Sequence, residues 1–353
     1  MTIISADYRD YAGAIGVHTR YSDGAGTVEQ IARHAADADL DFVLITDHNS
    51  TGAIDRKQEG WYEKVLVIAG IELTPPGNRD HYLALDLTHP IQAMDDPASF
   101  LFEVQLQGGY GFVCHPTEQG SRRFQVEGSP WTFDTSQIGG VEVWNYMSSW
   151  IEAASSVPTA LLNLRKPDRV NQPRASDLAF WDALTLQRPT PAIGSVDAHA
   201  YPYSSALTGK VEILPYDVVF HTVRTHILSE PFARQWERDK QKIVTALKAG
   251  RCYVSFDWHD SPRGFNFYCA VRGVGTFTMG EEVEFSRHET SLRFRIPKEN
   301  VQIRILKDGK RYARLEAQSG RAVMPVIDPG VYRAEIWYRN RLWILTNPIY
   351  IRG

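Results

Sequence analysis

Five apolar runs in this chain each end on a carboxylate or an imidazole: Ala14-Ile-Gly-Val-His18, Phe42-Val-Leu-Ile-Thr-Asp47-His48, Val65-Leu-Val-Ile-Ala-Gly-Ile-Glu72, Gly111-Phe-Val-Cys-His115 and Ala192-Ile-Gly-Ser-Val-Asp197-Ala-His199. Runs of this kind read as short strands, expected at 14–18, 42–46, 65–71, 111–114, 140–144, 191–196, 223–228 and 251–255. Helical patterns alternate with them at 27–39, 97–107, 174–187 and 238–249, the first opened by Thr27 and the last closed by Gly250. Up to about residue 256 the alternation predicts repeated β-α units, an α/β fold with a mainly parallel sheet or barrel.

Beyond about residue 262 the pattern changes to alternating strands punctuated by Gly, Pro and Asp, with Asp308-Gly309 as a hairpin signal. A small antiparallel β-sandwich is expected there, so the chain divides into a domain at 1–260 and a second at 261–353. Its 353 residues match a length prior of roughly two domains. With 38 basic against 42 acidic residues and no Lys/Arg block, nothing marks a nucleic-acid or membrane surface. Three cysteines without Cys-x-x-Cys spacing predict buried thiols in a reducing compartment, and no leader or apolar span stands out, which makes cytoplasmic the default location. No partner is implied beyond a small-molecule substrate, and the oligomeric state is left open.

In a β/α barrel the carboxyl ends of the strands open on one rim, so residues distant in sequence become neighbours. The side chains gathered in this way are His18, Asp23, His48, Glu72, His81, His115, Asp197 and His199. That mixture of imidazole and carboxylate suits zinc, manganese or iron, with no thiolate required. Without cations such a cluster would repel itself or shift its pKa values, whereas divalent ions neutralise the carboxylates and keep the imidazoles deprotonated. Two ions roughly 3.5–4 Å apart would hold a hydroxide between them as nucleophile and steady the developing oxyanion, so hydrolysis is the expected reaction.

Singly, these residues have plainer readings: Asp23 before Gly24 and Asp47 beside His48 are turn formers, and His115-Pro116 is a strand stop. The joint pattern outweighs them. Thr46 and Asp47 are read as groups that orient the ligands. Asn145, Arg20 and Arg122 are the candidates for substrate contact, with Arg123 and Lys210 as further loop cations. His34, His221, His226 and His288 lack metal spacing and are read as surface or core, and His89 and His259, near Asp86, Asp257 and Asp260, as a remote second-site candidate.

In order, His18-Thr-x-x-Ser-Asp23-Gly, Thr46-Asp-His48, Gly70-x-Glu72, His81, His115-Pro116 and Ser195-x-Asp197-x-His199 resemble the PHP (polymerase and histidinol phosphatase) superfamily of metal-dependent hydrolases over about residues 12–255. The resemblance implies a distorted seven-stranded β/α, TIM-like barrel with two or three metal ions. It implies one ion on Glu72, His81 and His115, a second on Asp23, His48 and His199, and a third on His18, Glu72 and Asp197. The C-terminal stretch, with Asp328-Pro-Gly-Val-Tyr-Arg and Thr346-Asn-Pro-Ile-Tyr350, looks like a branch that includes carbaryl-hydrolase-like proteins. The family pattern has a second His at position 16, where this chain has Gly16, so the third ion is expected to be weak or missing.

The expected function is therefore a metal-dependent phosphoesterase acting on a small molecule, with Asp23, Glu72 and His199 as catalytic groups and Glu72 bridging. The alternatives are a carboxylic or carbamic ester hydrolase and, in another class, a catalytically impaired metal-binding module that has lost its ligand at position 16.

Overall fold

The computed structural model describes residues 8–91, 95–205, 209–317 and 319–353. Strands form where the apolar runs lie: Arg9–Val17, Phe42–Ile45, Val65–Ala69, Ile71–Leu73, Tyr110–Val113, Gly140–Asn145 and Ala192–Ser195. Val28–Asp37, Pro97–Leu106, Ala175–Thr185 and Trp236–Lys248 are the expected helices. Thr27 caps the first with a complete capping box, its side chain accepting from Gln30 N while Gln30 reaches back to the Thr27 backbone. Two further helices, Tyr146–Ala153 and Val157–Arg165, follow the strand at 140–145 and had no counterpart in the sequence pattern.

The result is a mixed α/β chain, but its hydrogen bonding departs from a uniform seven-fold β/α ring. One sheet joins Arg9–Val17 to Phe42–Ile45 and Phe42–Ile45 to Val65–Ala69, all parallel. A second sheet runs from Ala192–Ser195 through Gly140–Asn145, Tyr110–Val113 and Tyr82–Leu85 to Ile71–Leu73. The two meet at isolated parallel bridges, Val17 with Ala198 and His48 with Glu72. Tyr82–Leu85 is antiparallel to both its neighbours, and Val223–Ser229 is antiparallel to Arg9–Val17. Connection length explains the first reversal: segment 74–81 is shorter than the roughly dozen residues a parallel crossover takes.

Beyond residue 260, a four-stranded antiparallel sheet of Asn266–Val271, Gly275–Thr278, Thr290–Arg295 and Arg321–Pro325 faces strands that include Val301–Lys307, Gly330–Tyr338 and Arg341–Thr346. Phe267, Leu292, Phe294, Ile303, Ile305 and Ile336 fill the space between them. Val301–Lys307 and Lys310–Ala317 form a hairpin through Asp308 and Gly309, both at positive φ as a two-residue loop of this kind requires. Arg341–Thr346 pairs with Cys252–Phe256, so one sheet runs through the sequence boundary expected near 260. All three cysteines are buried and unpaired. Among the described residues no helix is long and apolar enough to cross a membrane.

Candidate metal centre

The five ligand-bearing runs converge as their strands end, and the loop 18–24 is folded onto them by its own small residues. Thr19 O accepts from Ser22 N and Gly24 N, and Asp47 receives Thr19 N at 2.7 Å, Thr19 Oγ1 at 2.8 Å and Ser22 Oγ at 2.7 Å. Asp47 therefore clamps the loop that carries His18 and Asp23 and has no hydrogen bond to an imidazole. Gly24 lies so close to His18 O that a Cβ would overlap it. Tyr216 pins the same region, donating to His18 O at 2.7 Å and lying 3.2 Å from His199 O.

His81 reaches the rim by the reversed strand: it immediately precedes Tyr82–Leu85, whose start lies where the other strands end. Its Nδ1 is 2.8 Å from Glu72 Oε1 and its Nε2 3.1 Å from Asn78 Oδ1. Glu72 sits at the middle of the cluster. Its Oε1 lies 3.7 Å from His48 Nδ1 and 3.8 Å from His115 Nε2, and its Oε2 3.4 Å from His18 Nε2.

Three imidazoles have one nitrogen engaged by a hydroxyl or backbone carbonyl oxygen. Nδ1 of His48 lies 2.8 Å from Thr74 Oγ1, that of His115 3.0 Å from Ser129 O, and that of His199 3.1 Å from Asp197 O. Holding Nδ1 in this way fixes the tautomer and frees Nε2 as a ligand. His199 Nε2 has no hydrogen-bond partner and lies 3.3 Å from Asp23 Oδ1. His18 goes further: it is fully buried, stacked on His199 with ring centroids 4.0 Å apart, and neither of its nitrogens has a partner. An unmatched buried polar atom costs roughly 1–3 kcal/mol, so two on one ring need a compensating ligand.

Two sets of ligand atoms come within 4.8 Å of one another, one from His18, Asp23, His48 and His199 and another from His48, Glu72 and His81. Asp197 borders the first, with Oδ1 3.4 Å from His18 Nε2, and His115 borders the second through Glu72. The donor set of imidazole and carboxylate fits a divalent cation of the zinc, manganese or iron type. Electrostatics agree. Burial works against charge on His18, yet Asp197 and Glu72 outweigh it and move its pKa up to about 10. Burial likewise opposes the Glu72 charge, but His48, His115, His18 and His81 hold its carboxyl well below the usual range. His115 and Asp197 both adopt positive φ, 28° and 50°, conformations that non-glycine residues keep at a cost of about 1–3 kcal/mol each.

Gly16, where a second His was expected, also meets a backbone requirement. It lies at φ +72° in a register break between Ile15 and Val17, its carbonyl accepting from Ala198 N at 2.8 Å. A Cβ there would overlap Ser195 Oγ. Position 16 thus brings two strands together, and a side chain there would have to turn the Ser195 hydroxyl aside.

Asn145, expected at the substrate, is buried; its Nδ2 donates to Asp197 Oδ2 at 3.0 Å and Glu142 Oε2 at 3.1 Å, and its Oδ1 caps the helix that follows. Arg20, Arg122 and Arg123 are exposed and do not line the cavity over the centre, nor does Lys210. Thr46 is buried with its hydroxyl unpartnered. His89 and His259 stand apart, beside Glu103 and Asp168 respectively.

Several groups escaped the sequence pattern. Glu142, inside an apolar run, accepts His115 N at 2.5 Å, and burial lifts its pKa to about 7 while His115 opposes and Asp197 adds to the shift. Tyr201 lies flat on His199, ring centroids 4.6 Å apart, and donates to Asp23 Oδ2 at 2.6 Å. The only advance signal for Tyr201 was its place two residues after His199.

A cavity of about 370 Å³ opens over the centre, lined by Asp23, His48, Glu72, His81, His115, Asp197, His199 and Tyr201 on one side and by Met147, Trp150, Ile151 and Ile213 on the other.

No protein-family model matches the sequence, and no curated protein matches it either. Among solved structures, a two-domain protein of Bacteroides vulgatus described as containing a predicted PHP-like metal-dependent phosphoesterase is similar over 99% of this chain and 97% of its own, at 16% identity and a TM-score of 0.49. PsfC of Pseudomonas syringae is similar over 68% of this chain and 90% of its own, at 14% identity and a TM-score of 0.41. A protein of Bifidobacterium adolescentis described as a "putative metal-dependent phosphoesterase" is similar over 56% of this chain and 92% of its own, at 13% identity and a TM-score of 0.32. Likenesses this distant assign neither family nor activity.

Proposed function

We propose that this chain is a metal-dependent hydrolase of a small ester, a phosphoester in the first reading. The observation that carries it is His18, buried at a convergence of imidazoles and carboxylates with both ring nitrogens unpartnered. In this reading Asp23, His48 and His199, with His18 beside them, hold one divalent ion, and Glu72, His81 and His115 a second. Asp197, in reach of His18, adds to the first or to a weaker third. When bound, such ions neutralise the carboxylates, polarise the ester and make water acidic enough to attack near neutral pH.

The protein's own groups supply orientation. Glu72 stands between the two sets and serves both. Asp23 lies at the mouth with its side chain 44% exposed, one oxygen held by Tyr201 and the other 3.3 Å from His199 Nε2, which aims its carboxylate at the ion it would share with His48 and His199. Glu142 and Asn145 fix Asp197 and the backbone of His115 from beneath. The ordered motifs and the nearly closed course of the two sheets are consistent with a distorted barrel of the PHP type over 1–260 and a sandwich over 261–353. The alternative of another class, an impaired metal-binding module, turns on Gly16, where a side chain would need positive φ and a displaced Ser195 hydroxyl.

A second reading, a carboxylic or carbamic ester, is favoured by one observation: among the described residues no Lys or Arg lines the cavity. A phosphomonoester dianion there has no basic side chain to clamp it. The test is hydrolysis of 4-nitrophenyl phosphate, bis(4-nitrophenyl) phosphate and 4-nitrophenyl acetate with Zn²⁺, Mn²⁺ or Fe²⁺ added and after chelation. Turnover that chelator abolishes and metal restores is expected for at least one of them. Turnover of none, or turnover that chelator leaves untouched, overturns the proposal.

A further inference from the structure

Next to the cavity over the centre lies a second of about 390 Å³ whose described wall is apolar apart from one tyrosine hydroxyl. The two share Val126, Trp150, Ile151 and Ile213 as lining residues. The second cavity is built by design of local structure rather than by leftover space. On helix Val157–Arg165 the lining residues are Val157, Ala160, Leu161 and Leu164, the i, i+3, i+4, i+7 stripe of one helical face. Globular helices turn such a stripe to the core, but here it faces a cavity. The opposite wall is one face of a hairpin, Tyr201–Ser205 paired with Gly209–Ile213, in which Tyr201 sits opposite Ile213 and Tyr203 opposite Val211. The first of these pairs lines the cavity over the centre, and the second, with Ile213, lines the apolar one. A single hairpin face and the single helix Tyr146–Ala153, through Trp150 and Ile151, therefore span both spaces.

We infer that the apolar cavity is the subsite for a bulky apolar group of the substrate, so that the hydrolysed bond belongs to an ester of low charge carrying an alkyl or aryl substituent. This rests on the hydrolase reading for the ester bond, but not for the binding of the apolar group. Continuity with the centre and the lack of Lys or Arg among the described lining residues of either cavity argue for it together.

The test uses the metal-loaded full chain and two readouts. Hydrolysis of 4-nitrophenyl acetate, butyrate and hexanoate is expected to show kcat/KM rising by about threefold to fourfold for each methylene that enters the cavity. Calorimetric titration with 4-butylphenol is expected to show one site whose affinity falls at least tenfold in Leu161→Asn and in Val211→Asn, the latter on the half-buried hairpin where folding is least at risk. A kcat/KM that does not rise with chain length, together with absent 4-butylphenol binding, overturns the subsite while leaving any metal-dependent turnover of the acetate standing. Binding of 4-butylphenol that both variants weaken, in a protein that hydrolyses no ester, supports the subsite and sinks the hydrolase reading instead.

Discussion

Near the start of strand Arg9–Val17, Asp10 belongs to a buried histidine–carboxylate cluster; just past the strand's end, His18 belongs to another, and the same residue types are used in opposite ways. In the first, His226 Nδ1 faces Asp10 Oδ1 at 2.7 Å and Nε2 faces Asp257 Oδ2 at 3.4 Å, an oxygen that Arg224 shares at 3.3 Å, while Tyr253 donates to Asp10 Oδ2 at 2.6 Å and Ser255 to Asp257 Oδ1 at 2.5 Å. Every charge has a protein partner. In the second, the nitrogens of His18 and Nε2 of His199 have none, although carboxylates stand 3.3–3.4 Å away. A self-satisfied cluster holds strands together, whereas a cluster with convergent unpartnered donors is arranged around something else, and the chemistry of the donors says a cation. Burial and composition alone do not separate the two; the hydrogen-bond ledger does.

That contrast can be broken at either end. The largest effect is expected from Glu72→Gln: several kcal/mol of transition-state stabilisation lost, on the order of 1,000-fold in kcat/KM, with at least one bound ion gone by elemental analysis. Asp10→Asn should do the reverse, costing about 3–5 kcal/mol in denaturant unfolding by stranding a buried histidine, with the metal count intact. Loss of metal in Asp10→Asn would erase the distinction.

The pH dependence of stability sharpens it next. Burial disfavours charge on His226, but Asp10 and Asp257 raise its pKa to about 9, above the unfolded value near 6.5. A raised folded-state pKa contributes stability that is whole below pH ~6.5 and lost as pH rises through ~9, a fall of about 3 kcal/mol at most. Thermal melts of the metal-loaded chain between pH 6.5 and 10 should record this alkaline loss, and Asp10→Asn should flatten it.

Gly16→His is expected to cost about 1–3 kcal/mol for the positive φ alone, more with the Ser195 overlap, and to add no ion. An extra equivalent of metal in that variant would restore position 16 as a lost ligand site. The smallest effect belongs to Thr74→Val, which removes the acceptor holding His48 Nδ1 and should weaken metal binding about tenfold with little change in melting.

Much of this was legible in the chain. Apolar runs ending in His, Asp or Glu located the strands within a few residues and brought all eight expected ligand positions to one rim. What escaped depended on information that periodicity does not carry. The reversal of Tyr82–Leu85 follows from connection length, not from its apolar residues, yet it is what brings His81 to the cluster. Glu142 lies inside the strand expected at 140–144, but nothing local says that its side chain meets the backbone of His115. Helix Val157–Arg165 was passed over although its apolar spacing is helical, since Pro158 and the short preceding helix blur the pattern. Gly16 carries information that a motif does not: its φ and the nearness of Ser195 show a backbone requirement beside the missing side chain.

The central claim is that the cluster past the end of Arg9–Val17 is built for divalent cations and the cluster around His226 is not. An anomalous-difference map from crystals grown with Mn²⁺ or Zn²⁺ tests it directly. Two peaks are predicted, one in contact with Asp23, His48 and His199 and one with Glu72 and His81, with none beside His226. A map without a peak at those ligands, or with one between His226 and Asp10, would contradict the account.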